Sequence, residues 1–430
     1  MHQFKFASAI LVSIIASVIL AGCGGGGGSD LPAKPKFTSQ VSFGDSLSDV
    51  GSYKVGLIAG LGGGQFTINI PSTQTNWTEM TAASLGLSAC AAETGLDNGS
   101  GAAPGTPTGT VIPVSDNTAC TGYAQGGARV TSQPGIGNKA LAGLALTVPV
   151  VTQIDHHLAN TTLAPGGKFT GSELVLVMAG ANDVFYQIAV LTPGAKAAAT
   201  AAVTAAVPGQ IPNEIAAGNC TSAEAATVCV TAAIATLTPT VGALAADDYI
   251  DTHSAAAVPA LTTAATELVG YVNDRILANG AKYVVVANIP DIGSTPQAAL
   301  MGPKTKILVN SMITSFNSTL QSGLSGKANV LFVDANAASH DEVVNPAKYN
   351  LTNVTGTACN LSNGVNPLAT ATEPGSSLAC YYTDAAHNNL NTGVLPTDHY
   401  LFADNVHPTP YGHALFATYV LQAMVNKGWY

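Results

Sequence analysis

The sequence predicts a three-layer α/β/α domain built on a mainly parallel sheet. Three observations carry that expectation. Short apolar runs recur along the chain, segments with helical spacing separate them, and glycine or proline closes most runs where a buried parallel strand would end. Residues 37–43 (FTSQVSF) form the first run, ending at Gly44, and a helix is expected after Ser46. Residues 76–87 (NWTEMTAASLGL) read as an amphipathic helix. Residues 173–180 (ELVLVMAG) read as a fully buried strand. The helical pattern of 266–280 stops at Gly280; the strand of 282–290 (KYVVVANIP) closes at Pro290. A helix over 305–324, a strand over 329–336 (NVLFVDAN) and a last helix over 411–428, ending at Gly428, complete the alternation. Alternating strands and helices pair in parallel, with helices covering both faces.

Two stretches break this rhythm. Residues 91–121 are rich in Gly, Thr, Pro and Asn and read as a long surface loop. Residues 194–262 are rich in Ala and Thr and read as a mostly helical insertion, either a cover for one sheet face or a lid over a site.

The amino terminus has a different character. Lys5 precedes an apolar stretch over 7–20, too short for a spanning helix and in the form of an export signal. The following LAGC, Leu20 to Cys23, resembles the lipobox of bacterial lipoproteins. The resemblance implies a signal peptide over 1–22, acylation of Cys23, and a Gly/Pro-rich tether over 23–37 leading to a domain over 38–430. Several acyl chains would hold the protein firmly on a membrane. Residue 24 is Gly rather than Asp, so the expected destination is the outer membrane.

Charged residues make up 9% of the chain and its net charge is −10, which excludes the basic face that nucleic acid requires. Beyond Cys23, six cysteines remain of seven. In an exported chain they predict disulfides, and of the fifteen possible pairings sequence neighbours are expected: Cys90–Cys120, Cys220–Cys229 and Cys359–Cys380. No CxxC or HExxH occurs, so no metal site is expected.

Four short segments could carry chemistry. Ser46 stands in GDSLS, at the carboxyl end of the first strand, where sites in parallel sheets gather. A serine there serves equally well as a helix cap. In FADNVHPTPYGH, Asp404 precedes His407 by three residues on a stretch that Pro408 and Pro410 keep out of a continuous helix. That spacing lets a carboxylate hold the imidazole Nδ1 and leaves Nε2 to accept a serine proton. Asn182 in GANDV follows the second buried strand, and Gly126 and Gly127 in YAQGGARV leave backbone amides open to a ligand oxygen. The other histidines, His156, His157, His253, His340, His387, His399 and His413, read as ordinary surface or core residues. No GxSxG elbow occurs.

Taken together, FGDSLSDVG, YAQGGAR, GAND and DNVHPTPYGH resemble the four blocks of the SGNH, or GDSL, hydrolases. NIPDIGSTP (288–296) is similar to the branch that holds lipolytic autotransporters and secreted phospholipases and acyltransferases. The resemblance implies a flavodoxin-like SGNH fold. Ser46 would be the nucleophile, His407 the base and Asp404 its orienter. The Ser46 amide, the Gly127 amide and the Asn182 side chain would form an oxyanion hole. Gly122 stands where the second block usually opens with Asn. No cofactor is implied, and the expected substrate is a small-molecule or lipid ester. An acyltransferase or carbohydrate deacetylase would use the same residues; a surface lipoprotein without activity is the reading of a different class. The segment after the last helix, NKGWY, holds no barrel strands, so the expected membrane tether is Cys23.

Overall fold

The computed structural model describes residues 34–96, 112–133, 135–136, 147–371 and 373–430. Four strands form its central sheet: β1 (Ser39–Gly44), β2 (Glu173–Met178), β3 (Tyr283–Ala287) and β4 (Val330–Val333). They pair in that order and all in parallel. Phe43 registers with Val177, Val177 with Val286, and Val286 with Phe332.

Every residue of β2 is buried, and its side chains alternate between two cores. Val175 and Val177 face α2 (Val150–Ala159), α6 (Ala257–Tyr271) and α7 (Pro303–Leu324), meeting Ile154, Leu268, Met312 and Phe316. Leu174, Leu176 and Met178 face α1 (Trp77–Ser84) and α9 (Pro410–Lys427), meeting Trp77, Val420 and Met424. This is the three-layer α/β/α arrangement the sequence predicts. Each such buried side chain contributes about 1.5–3 kcal/mol. Asn76 caps α1 by accepting from Thr78 N at 2.8 Å, while Glu79 accepts from Asn76 N at 3.1 Å. This reciprocal cap accounts for the helix starting where it does.

The structure departs from the sequence reading at three places. No helix starts at Ser46; the next one, Gly56–Gly60, begins ten residues later. Residues 45–53 form consecutive turns, because Asp45 accepts from Leu47 N (3.1 Å) and Asp49 accepts from Gly51 N (2.9 Å) and Ser52 N (2.7 Å). Short acidic side chains here satisfy the backbone in place of helical carbonyls. Within 91–121, the described residues include a two-strand pair, Glu93–Thr94 against Ser115–Asp116, rather than loop alone. The insertion also has no separate start. α3 (Ala181–Ala216) begins directly after β2 and runs unbroken through Pro193, Pro208 and Pro212. It packs on α4 (Val228–Leu237) through Val203, Val207, Ala233 and Leu237, and α5 (Ala243–His253) leads back toward α6. The prolines' neighbours, among them Gly194 and Gly209, are weak helix formers, so packing against α4 rather than local propensity offsets the lost hydrogen bonds.

Disulfides join Cys90 to Cys120, Cys220 to Cys229 and Cys359 to Cys380, with Cα separations of 5.2, 5.3 and 6.0 Å. These are the neighbour pairings expected. The second pair staples the turn between α3 and α4. Beyond the main sheet, β5 (Asn353–Thr357) and β6 (Tyr400–Phe402) pair in parallel, and β6 delivers the chain to Asp404. The signal segment 1–22 and Cys23 lie outside the described residues, as does most of the tether.

Candidate active site

The carboxyl ends of the strands open onto one cavity of about 440 Å³. Ser46, two residues past β1, lines it and is 8% exposed. Its Oγ lies 2.8 Å from His407 Nε2, across 361 positions of sequence. His407 Nδ1 lies 2.9 Å from both carboxylate oxygens of Asp404. Asp404 accepts in addition from the amides of Ser377 (2.8 Å), His407 (2.8 Å) and Val406 (3.0 Å). Burial alone would raise the pKa of this carboxyl. The His407 ring and the hydrogen bonds from His407, Ser377 and Val406 outweigh it and hold Asp404 well below the usual carboxylate range. A carboxylate fixed in this way selects the imidazole tautomer that protonates Nδ1, leaving the Nε2 lone pair on Ser46 Oγ.

The loop carrying the imidazole is positioned from both sides. Ala403 N donates to the His407 carbonyl at 2.8 Å, and the loop ends where Pro410 opens α9 under a Thr409 cap. The Phe66 ring packs on the imidazole with centroids 4.9 Å apart. His413, inside α9, is buried, and burial first, then His407, pushes it down to about 3. It is uncharged, buried within α9 and also lines the cavity.

Three residues with amide donors, Ser46, Gly127 and Asn182, line the cavity. Ser46 N and Gly127 N donate to no group among the described residues. Gly126 N is occupied by Asp49 Oδ2 at 2.9 Å, so of the two glycines Gly127 keeps the free amide. Gly127 sits at φ +81°, and a Cβ there would lie 2.1 Å from the Ile136 carbonyl oxygen. Asn182, in the first turn of α3, donates one Nδ2 hydrogen to the Ala128 carbonyl at 2.9 Å, which fixes the amide and leaves the second hydrogen free.

Several positioning residues gave no sequence signal. Buried Asp49 spans four groups, among them Ser52 Oγ at 2.5 Å and Gly126 N at 2.9 Å, and so ties the serine turn to the glycine loop. Gln153 on α2 clamps Gly44 through both its N–H (2.8 Å) and its carbonyl (2.8 Å). Asp183 accepts from Arg129 Nε and Val130 N, each at 3.0 Å, next to Asn182. Only Asp49 was within reach of inspection, three residues after Ser46 in the same motif; the others act across 50 residues or more.

Residues 244–420 match the family model described as GDSL-like Lipase/Acylhydrolase. This match, over 177 of the 430 residues, supports a GDSL/SGNH hydrolase assignment. The matched span contains Asp404 and His407; Ser46, Gly127 and Asn182 precede it. A protein of Photorhabdus luminescens named Lipase 1 is 30% identical over 96 residues, 22% of this chain and 12% of that protein's length. The GDSL family assignment supports ester hydrolysis in general.

Proposed function

We propose that this protein is a GDSL hydrolase that cleaves carboxylic esters of the acyl-lipid type through an acyl-enzyme on Ser46. The observation that carries the reading is the continuous chain from Ser46 Oγ through His407 to Asp404, set in the wall of a mainly apolar cavity. His407 Nε2 takes the Ser46 proton as Oγ attacks the ester carbonyl carbon. The carbonyl oxygen becomes an oxyanion held by the Ser46 amide, the Gly127 amide and the free Asn182 N–H. Collapse breaks the carbon–oxygen bond, and the alcohol leaves with the proton from His407. A water, deprotonated by the same imidazole, attacks the acyl carbon and returns Ser46.

Ser46→Ala in a folded protein is expected to remove p-nitrophenyl ester hydrolysis. Wild-type rates from that variant would overturn the assignment. Product analysis with an added alcohol acceptor separates hydrolysis from acyl transfer.

We also propose that the chain is exported and held on a membrane, the outer membrane by expectation, through lipid on Cys23. The lipobox-like LAGC supports this.

A further inference from the structure

Among the carboxyl groups on the cavity wall that the mechanism leaves unused, Glu342 is both buried and unpaired, whereas buried Asp45 accepts from Leu47 N. Glu342, on α8 (Ala335–Val344), is 7% exposed and lines the cavity together with Ala335 and Ser339 of the same helix face. It has no hydrogen-bond or ion-pair partner among the described residues. A buried carboxyl without a partner is costly, and one that faces a cavity calls for a ligand group.

The rest of the lining indicates the sign of that group. Asp45, Asp291, Glu342, Glu373 and Asp404 line the cavity, and among the described residues no Lys or Arg does. Asp404 is committed to His407, and Asp291 accepts from Ser294 Oγ and faces His340. Among the described residues, the only basic side chains on the wall are the imidazoles of His407 and His413. Six aromatic side chains complete it: Tyr53, Phe66, Trp77, Phe185, Phe402 and Phe416. Aromatic faces and an unmatched carboxyl, with no fixed cation, are what a desolvated ammonium group selects.

We infer that this aromatic-lined cavity contains a cation subsite at Glu342, and that the preferred substrates are esters bearing an ammonium group, not anionic ones. The inference rests on the ester-hydrolase reading and narrows its substrate class. Burial, then the nearby Asp341 charge, pushes the Glu342 carboxyl up to about 8. An ammonium seated beside it would favour the ionised form and release a proton on binding.

The test uses butyrylcholine and its uncharged isostere 3,3-dimethylbutyl butyrate as substrates of the full chain, and choline as a ligand of the Ser46→Ala protein. Wild-type kcat/KM is expected to favour the choline ester by about tenfold or more, mainly through KM, and Glu342→Gln to bring the ratio close to one. Ser46→Ala is expected to bind choline by calorimetry with Kd below about 1 mM, and the double variant with Glu342→Gln to lose that binding. Equal rates on the two wild-type substrates, or a preference that survives Glu342→Gln, would overturn the inference. The two readings fail separately. Choline binding without turnover of either ester removes hydrolysis and keeps the subsite; turnover of the isostere without choline binding removes the subsite and keeps hydrolysis.

Discussion

Asp404 shows how much of the site one residue controls. Its carboxylate holds the imidazole and three backbone amides at once, so replacement leaves donors unsatisfied as well as the tautomer free. Asp404→Asn is expected to lower kcat by roughly 10³- to 10⁴-fold with a smaller change in KM, measured by steady-state kinetics on a neutral ester. Asp49 acts one step removed, through the amides it positions. Asp49→Asn should therefore lower kcat more than KM, and a variant that changed KM alone would assign it to binding. Glu342 governs pH dependence in the opposite sense from a paired carboxylate. Its folded-state pKa, raised to about 8, lies above the ordinary glutamate value of about 4.3, so the unfolded chain loses the proton first. Stability thus falls as pH rises between those values, and the penalty is absent below them. Thermal unfolding of Glu342→Gln is expected to show a Tm advantage over wild type that is small at pH 4 and grows up to pH 8; a pH-independent difference contradicts this.

At the scale of elements, legibility followed the range of the forces involved. Asp404 and His407 were readable because their contact is local, three residues apart on a proline-stiffened loop. Asn182 and Ser46 were readable because each follows an apolar run that had to be a strand. The helix expected after Ser46 did not start there because side-chain oxygens of Asp45 and Asp49 take its backbone donors, a competition that apolar spacing does not register. The continuity of α3 through three prolines depends on packing against α4, which no local pattern reveals. Two expectations belong here. Gly127→Ala places a methyl group 2.1 Å from the Ile136 carbonyl at a positive φ. It is expected to cost about 1–3 kcal/mol and to reduce turnover, read by chemical denaturation and ester kinetics. Cys220→Ser with Cys229→Ser should destabilise the α3–α4 hairpin by about 2–3 kcal/mol, seen as faster hydrogen exchange there, with Ser46 chemistry retained.

Across the whole molecule, the parallel main sheet places Ser46 and Asn182 at the carboxyl ends of β1 and β2, while the Gly127 turn and the separate β5–β6 pair, which leads to Asp404 and His407, bring the other residues to the same cavity. By length and composition alone, α3 and the stretch Val228–His253 could cross a bilayer, yet α3 opens with Asn182 and Asp183 in the site and packs its later turns on α4. The expected attachment is instead at Cys23, and Cys23→Ala should move the protein from the membrane to the soluble fraction. The central claim is that His407 activates the Ser46 hydroxyl, and covalent labelling by a fluorophosphonate, mapped by peptide mass spectrometry, tests it most directly. An adduct on Ser46 in the wild-type protein and almost none in folded His407→Ala is the predicted result; an unlabelled Ser46, or equal labelling without the imidazole, contradicts it.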